Sequence, residues 1–122
     1  MAKRVLIVDD AIFMRNMIKD IFSGSGFEVV GEAANGLEAV DKYKDLKPDL
    51  TTMDIVMPFK SGIEATREIV KADPRALVVM CSALGQESLV MEAIEAGASD
   101  FIVKPFKSED VLSVVRKVLG TP

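Results

Sequence analysis

The sequence contains no histidine and no tryptophan, and its one cysteine is Cys81. An internal disulfide is therefore excluded, as is every zinc or catalytic arrangement that pairs Cys with His. Cys81 lies inside the apolar run LVVMCS, where a thiol ordinarily serves as a small buried hydrophobe. Excess positive charge is also missing, since 15 Lys and Arg against 19 Asp and Glu give a formal net charge of -4. A general nucleic-acid binder needs clustered cations to neutralise phosphates, so nucleic acid is not an expected partner. No apolar run approaches the roughly 20 residues of a membrane-spanning helix. The opening MAKRVLIVDD has too short an apolar stretch between its cations and its acids for a signal-peptide core. A soluble, cytoplasmic protein with no membrane partner is expected.

What is present is globular in character: 122 residues, 49% hydrophobic and 28% charged, with no internal repeat, low-complexity tract or linker. That is enough chain for one core and little more, so a single domain over 1–122 is expected. Short apolar runs alternate with segments of helical period. The runs are RVLIV (4–8), EVVGEA (28–33), LTTMD (50–54), LVVMC (77–81) and DFIV (100–103). Between and after them, apolar residues recur at three- and four-residue steps. Examples are Met14, Met17, Ile18 and Ile21; Leu37, Val40 and Tyr43; Ile63, Thr66 and Val70; Leu89, Ala93 and Ile94; and Val111, Val115, Val118 and Leu119. Gly24, Gly26 and Gly97 read as helix stops, Pro48 and Pro74 follow helices, and Ser108 reads as the cap of the last helix.

Five strands each followed by a helix predict an α/β fold, a parallel sheet with helices on both faces, because parallel strands need crossover connections. Ligands of such sheets bind beyond the carboxyl ends of the strands. Those ends carry Asp9 and Asp10 after the first strand, Asp54 after the third, Ser82 after the fourth and Lys104 after the fifth. Three converging carboxylates repel one another unless a cation joins them. All-oxygen ligands of this number favour Mg2+ with retained waters. A carboxylate nucleophile at Asp54, a hydroxyl at Ser82 and an ammonium at Lys104 then suit phosphoryl transfer through an aspartyl phosphate. Each signal taken alone has a plainer explanation: Asp-Asp after a strand is more often a helix cap, Ser82 a turn hydroxyl and Lys104 a solvated loop lysine. Their agreement on one sheet edge favours the site.

In order along the chain, VLIVDD, TMDIVMP, VVMCSALG and FIVKPF resemble the receiver domain of two-component response regulators, over essentially the whole sequence. MRNMIKDIF and AIEAGASDFIVKPF extend the resemblance toward the stand-alone chemotaxis regulators of that family. The resemblance implies a flavodoxin-like, doubly wound sheet of strand order 2-1-3-4-5 with five helices. It implies that Asp54 is the phosphoacceptor, that Asp9, Asp10, Asp54 and the Val56 carbonyl hold Mg2+, and that Ser82 and Lys104 contact the phosphoryl group. Phe101 matches the switch aromatic that turns inward together with Ser82, and the Lys104–Pro105 peptide matches one that is commonly cis. Lys60 and Ser61 depart from the family, which often has Met and Asp or Asn there.

The expected partners are a sensor histidine kinase, a downstream motor switch or chemotaxis adaptor protein bound by the fourth helix, fifth strand and fifth helix, and a separate phosphatase. The protein is expected to be a monomer and not an enzyme, a phosphoacceptor that catalyses only its own phosphorylation and dephosphorylation. The alternative is a single-domain phosphorelay intermediate that passes phosphate to a His-containing phosphotransfer protein. A phosphatase acting on other substrates would need a cap domain, and a flavin protein would need a phosphate-cradling loop where this chain carries acids. Val56 and Leu84, two residues beyond Asp54 and Ser82, are apolar where a polar group could orient a hydrolytic water, which predicts slow self-dephosphorylation.

Overall fold

The computed structural model describes residues 2–120. In chain order the elements are β1 Arg4–Val8, α1 Ile12–Ser23, β2 Glu28–Ala33, α2 Gly36–Leu46, β3 Leu50–Asp54, α3 Gly62–Ala72, β4 Val78–Ser82, α4 Glu87–Glu95, β5 Asp100–Val103 and α5 Ser108–Leu119. The five strands form one parallel sheet in the order β2-β1-β3-β4-β5. This is the flavodoxin-like order implied by the resemblance, and it seats β1 beside β3 with their carboxyl ends together.

Side chains alternate across the strands, and two cores follow from that alternation. Leu6, Val8, Met53, Val78 and Met80 face α2, α3 and α4, while Val5, Ile7, Leu50, Val79 and Cys81 face α1 and α5. Near-continuous apolar strands such as RVLIV and VVMCS are thereby explained, because both faces of the central strands are covered. Strand β2 lies at the edge and is only half-buried, and its pairing with β1 slips by one residue after Val5.

The helix stripes differ from those read off the large apolar residues. Ala39 and Ala65, which those stripes leave out, are fully buried, as is Ala93, which they include, while Leu37 is 50% exposed and Ile94 41% exposed. Small residues let a helix lie close to the strands, so the innermost positions carry little hydrophobic signal. Ser108 is not the cap of α5 but its first residue. The cap position is Lys107, whose backbone N–H donates to the Asp110 carboxylate at 3.2 Å, so the helix start is held from inside its own first turn.

Candidate functional site

Two strand ends bring the acids together, with Asp9 and Asp10 following β1 and Asp54 ending β3. One carboxylate oxygen from each of Asp9, Asp10 and Asp54 lies within 4.8 Å of the others. The three are not equivalent. Asp9 is buried at 1% exposure, Asp54 is half-buried and Asp10 is exposed.

Asp9 is fully engaged. Its Oδ1 accepts from the backbone N–H of Ala11 at 2.9 Å, and its Oδ2 accepts from Lys104 Nζ at 3.1 Å. The first of these is the local turn that a plain Asp-Asp reading anticipates, yet α1 itself begins at an uncapped Ala11. The pair is therefore not spent on capping the helix. Asp10 has no hydrogen bond or ion pair to a side chain among the described residues.

Lys104 reaches between the acids, with Nζ also 3.4 Å from Asp54 Oδ1. Burial works against its charge, but the Asp54 and Asp9 carboxylates outweigh burial and hold its pKa above the ordinary lysine value. Asp54 shows the converse. Burial first, and then the neighbouring charge of Asp9, push its carboxyl up to about 6 despite Lys104. Three carboxylates against one ammonium leave two negative charges if all are ionised, the charge that a single divalent cation would neutralise.

The loop after β3 is fitted closely beneath the site. A Cβ at Gly62 would stand 1.9 Å from the Asp54 carbonyl oxygen, so only glycine lets α3 begin there. The Gly62 N–H donates to the Ile55 carbonyl at 2.8 Å, whereas no donor among the described residues takes the Val56 carbonyl. Ser61 Oγ accepts from the Glu64 N–H at 3.2 Å and so caps α3, a role that Asp or Asn can also fill. The Lys60 carbonyl accepts from the Gly36 N–H at the start of α2, and its ammonium pairs with Glu68. The departure from the family at Lys60 and Ser61 thus keeps the loop anchored at both ends.

Ser82 is buried, and its hydroxyl donates to the Ile102 carbonyl at 3.4 Å, a weak bond that ties the end of β4 to β5. The Lys104 N–H donates to the Ser82 carbonyl at 2.7 Å, and the Lys104–Pro105 peptide is cis. Phe101 is 39% exposed and borders a cavity of about 260 Å³ between β4, β5 and α4, lined by Ser82, Val90, Met91 and Val103 among others. Leu84 also lines this cavity and is 79% exposed, and Val56, in the loop after β3, is 58% exposed. Cys81 is buried on the α1 and α5 side, where burial pushes its thiol up to about 12, the state of an inert structural cysteine. No helix among the described residues is long and apolar enough to cross a membrane.

A parallel sheet in this order, with acids at the ends of its first and third strands and lysine at the end of its fifth, defines a receiver. The response regulator receiver domain model matches residues 5–116, and the chain belongs to that family. Within the family it is similar over nearly its full length to chemotaxis proteins. It is 61% identical to chemotaxis protein CheY of Thermotoga maritima, covering 97% of this chain and 98% of that one. To CheY of Bacillus subtilis it is 60% identical, covering 98% and 100%. Among solved structures, the CheX-CheY-BeF3-Mg2+ complex from Borrelia burgdorferi matches at TM-score 0.91 and 43% identity, covering 95% of this chain and 88% of that one.

Proposed function

We propose that the protein is a phosphorylation-activated chemotaxis signalling protein, in which Asp54 takes a phosphoryl group from a phosphohistidine of a sensor histidine kinase. The observation that carries this reading is the Lys104 ammonium 3.1 Å from Asp9 and 3.4 Å from Asp54, at an edge where three carboxylates crowd within 4.8 Å. In the step, an Asp54 carboxylate oxygen forms the new O–P bond, the donor's N–P bond breaks and the imidazole departs. Lys104 moves its attraction from the carboxylates to the phosphoryl oxygens, and the Ser82 hydroxyl exchanges its weak bond to Ile102 for one of them.

The donor set fits Mg2+. It consists of oxygen alone, one acid is solvent-facing so that bound waters can be kept, and the untaken Val56 carbonyl adds a neutral oxygen. Asp9, Asp10, Asp54 and the Val56 carbonyl would hold the ion, which neutralises charge on the transferred group. A relative crystallised with both BeF3 and Mg2+ supports this assignment.

Output follows from the movement of Ser82. The cavity between Ser82 and Phe101 gives the ring room to turn inward, which would reshape the face made by α4, β5 and α5. That face exposes Met91 and Phe101 beside Glu87, Glu92 and Glu95, so its partner, a motor switch or chemotaxis adaptor, would offer an apolar anchor flanked by basic groups.

The test is labelling with a small phosphodonor in Mg2+. Asp54→Asn should abolish label while the protein stays folded, and Asp10→Asn should lose both Mg2+ binding and label. A label that survives acid and hydroxylamine would point to phosphoserine or phosphothreonine and refute the reading.

A further inference from the structure

Asp10 poses a problem of aim. Its carboxylate is exposed and has no side-chain partner among the described residues, yet it must stand within ligand distance of Asp9 and Asp54. Its position is therefore set by its backbone. The peptide joining Asp9 to Asp10 is planar, so whatever fixes the Asp9 carbonyl oxygen also fixes the plane carrying the Asp10 nitrogen and Cα.

Among the described residues, one side chain holds that oxygen. Arg15, one turn into α1, donates from Nη1 to the Asp9 carbonyl at 2.7 Å. The same guanidinium donates from Nε to Glu32 Oε1 at 3.1 Å, and Lys19 Nζ lies 2.8 Å from Glu32 Oε2. The hydrogen bond from Lys19, then that from Arg15, hold the Glu32 carboxyl below the usual carboxylate range although partial burial opposes them. Glu32 belongs to β2, and the neighbouring Ala33 carbonyl accepts from the Asp9 N–H at 3.0 Å, so both ends of the brace rest on the same strand. The Lys42 ammonium, from α2, donates to the Glu32 carbonyl and closes the group.

We propose that Arg15 is a positioning residue for the metal site: by holding the Asp9–Asp10 peptide plane it aims the Asp10 carboxylate, and Glu32 with Lys19 holds Arg15 in place. The proposal rests on the reading of Asp9, Asp10 and Asp54 as Mg2+ ligands. Groups that hold a ligand rather than the metal commonly change affinity by about tenfold or more when removed.

Charge alone predicts the opposite sign, which makes the test sharp. Removing a cation that is hydrogen-bonded to the Asp9 carbonyl should strengthen binding of Mg2+, whereas loss of aim should weaken it. The experiment is titration of the whole chain with MgCl2, followed by amide chemical shifts, for wild type, Arg15→Met, Arg15→Lys and Asp10→Asn, with urea midpoints as a folding check. Arg15→Met should bind Mg2+ about tenfold more weakly. Arg15→Lys keeps the charge but cannot grip the carbonyl and Glu32 together, and should fall between Met and wild type. A folded Arg15→Met that binds Mg2+ as tightly as wild type, or more tightly, overturns the proposal. If Arg15→Met does not fold, wild-type affinity in Arg15→Lys overturns it instead. Wild-type affinity in Asp10→Asn would refute the metal reading itself, whereas weakened binding there with unchanged binding in the Arg15 variants refutes only the role of Arg15.

Discussion

At the amino-terminal edge of the sheet charged groups are matched to neutral hydrogen-bonding partners, and at the carboxyl-terminal edge like charges crowd together. Arg4, which opens β1, donates its backbone N–H to the Asp49 carboxylate at 2.7 Å, and its guanidinium donates to the Leu46 and Lys47 carbonyls at 2.8 and 3.1 Å. Those carbonyls end α2, where the helix leaves acceptors without intrahelical donors. Nearby, Tyr43 donates to Asp73 at 2.8 Å and so links α2 to the end of α3. At the other edge, Asp9 and Asp54 share the ammonium of Lys104, and Asp10 beside them has no side-chain partner among the described residues. One edge closes helix ends and stabilises the fold. The other stores repulsion that a bound cation or a phosphoryl group can release, which is the expected signature of a site rather than a scaffold.

The largest effect should come from removing one of the crowded charges. Asp54 has its carboxyl pushed up to about 6 from an ordinary 3.8, so the folded state binds its proton more readily than the unfolded chain does. A raised carboxyl pKa means that the ionised group opposes folding. In metal-free buffer, wild-type stability attributable to Asp54 should be lowest above about pH 7, rise as pH falls through 6, and level off below the unfolded value near 4. Asp54→Asn removes this penalty and, with solvent screening of a partly exposed site taken into account, should stabilise the protein at pH 8 by about 1 to 2 kcal/mol, a gain that shrinks toward pH 4. Urea unfolding of both proteins in EDTA checks it. An Asn variant no more stable than wild type at pH 8 would break the contrast between the two edges.

How far the sequence reveals this contrast depends on the kind of signal. The strands were legible because both faces of β1, β3 and β4 are covered, which leaves unbroken apolar runs. The convergence of Asp9, Asp54 and Lys104 was legible because strand order and strand ends together dictate it. Helix faces are less legible, since Ala39 and Ala65 carry little hydrophobic signal and yet are fully buried, while Leu37 and Ile94 stay outside. Illegible altogether was the brace from Arg15 to Glu32, whose members are 17 residues apart and carry no periodic pattern. Nor did the sequence disclose that the Thr51 and Thr52 hydroxyls are buried without a partner on the central strand.

A second prediction sharpens the contrast within the carboxyl-terminal edge, where charged groups meet apolar ones. Val56 and Leu84 are both well exposed there, and neither can hold a water by a hydrogen bond. With Asp54 as the proposed phosphoacceptor, loss of its phosphate would need a water in line with the departing group, and a side chain that orients it would lower the barrier. The double variant Val56→Asn with Leu84→Glu should therefore shed label faster, by on the order of tenfold or about 1.4 kcal/mol of barrier. The measurement is decay of labelled protein in Mg2+. Unchanged decay in a folded, Mg2+-binding double variant would show that these two residues have no part in the phosphate lifetime, and would remove the need for a separate phosphatase inferred from them.

The smallest effect belongs to the matched edge, and its value lies in what should not change. Arg4→Met keeps much of the aliphatic stem but deletes both bonds to the end of α2, leaving the Leu46 and Lys47 carbonyls to water. Because the site is partly exposed, water replaces much of what is lost, and the cost should be about 1 kcal/mol of stability. Lys47 already adopts a left-handed backbone at φ 46, so the α2 terminus should fray first, seen as faster amide exchange over its last turn. Mg2+ affinity and labelling of Asp54 should stay at wild-type values, since Arg4 stands at the opposite end of β1 from Asp9. A loss of Mg2+ affinity in Arg4→Met, with the protein still folded, would mean that the two edges are coupled through β1 and that the division between scaffold and site is drawn in the wrong place.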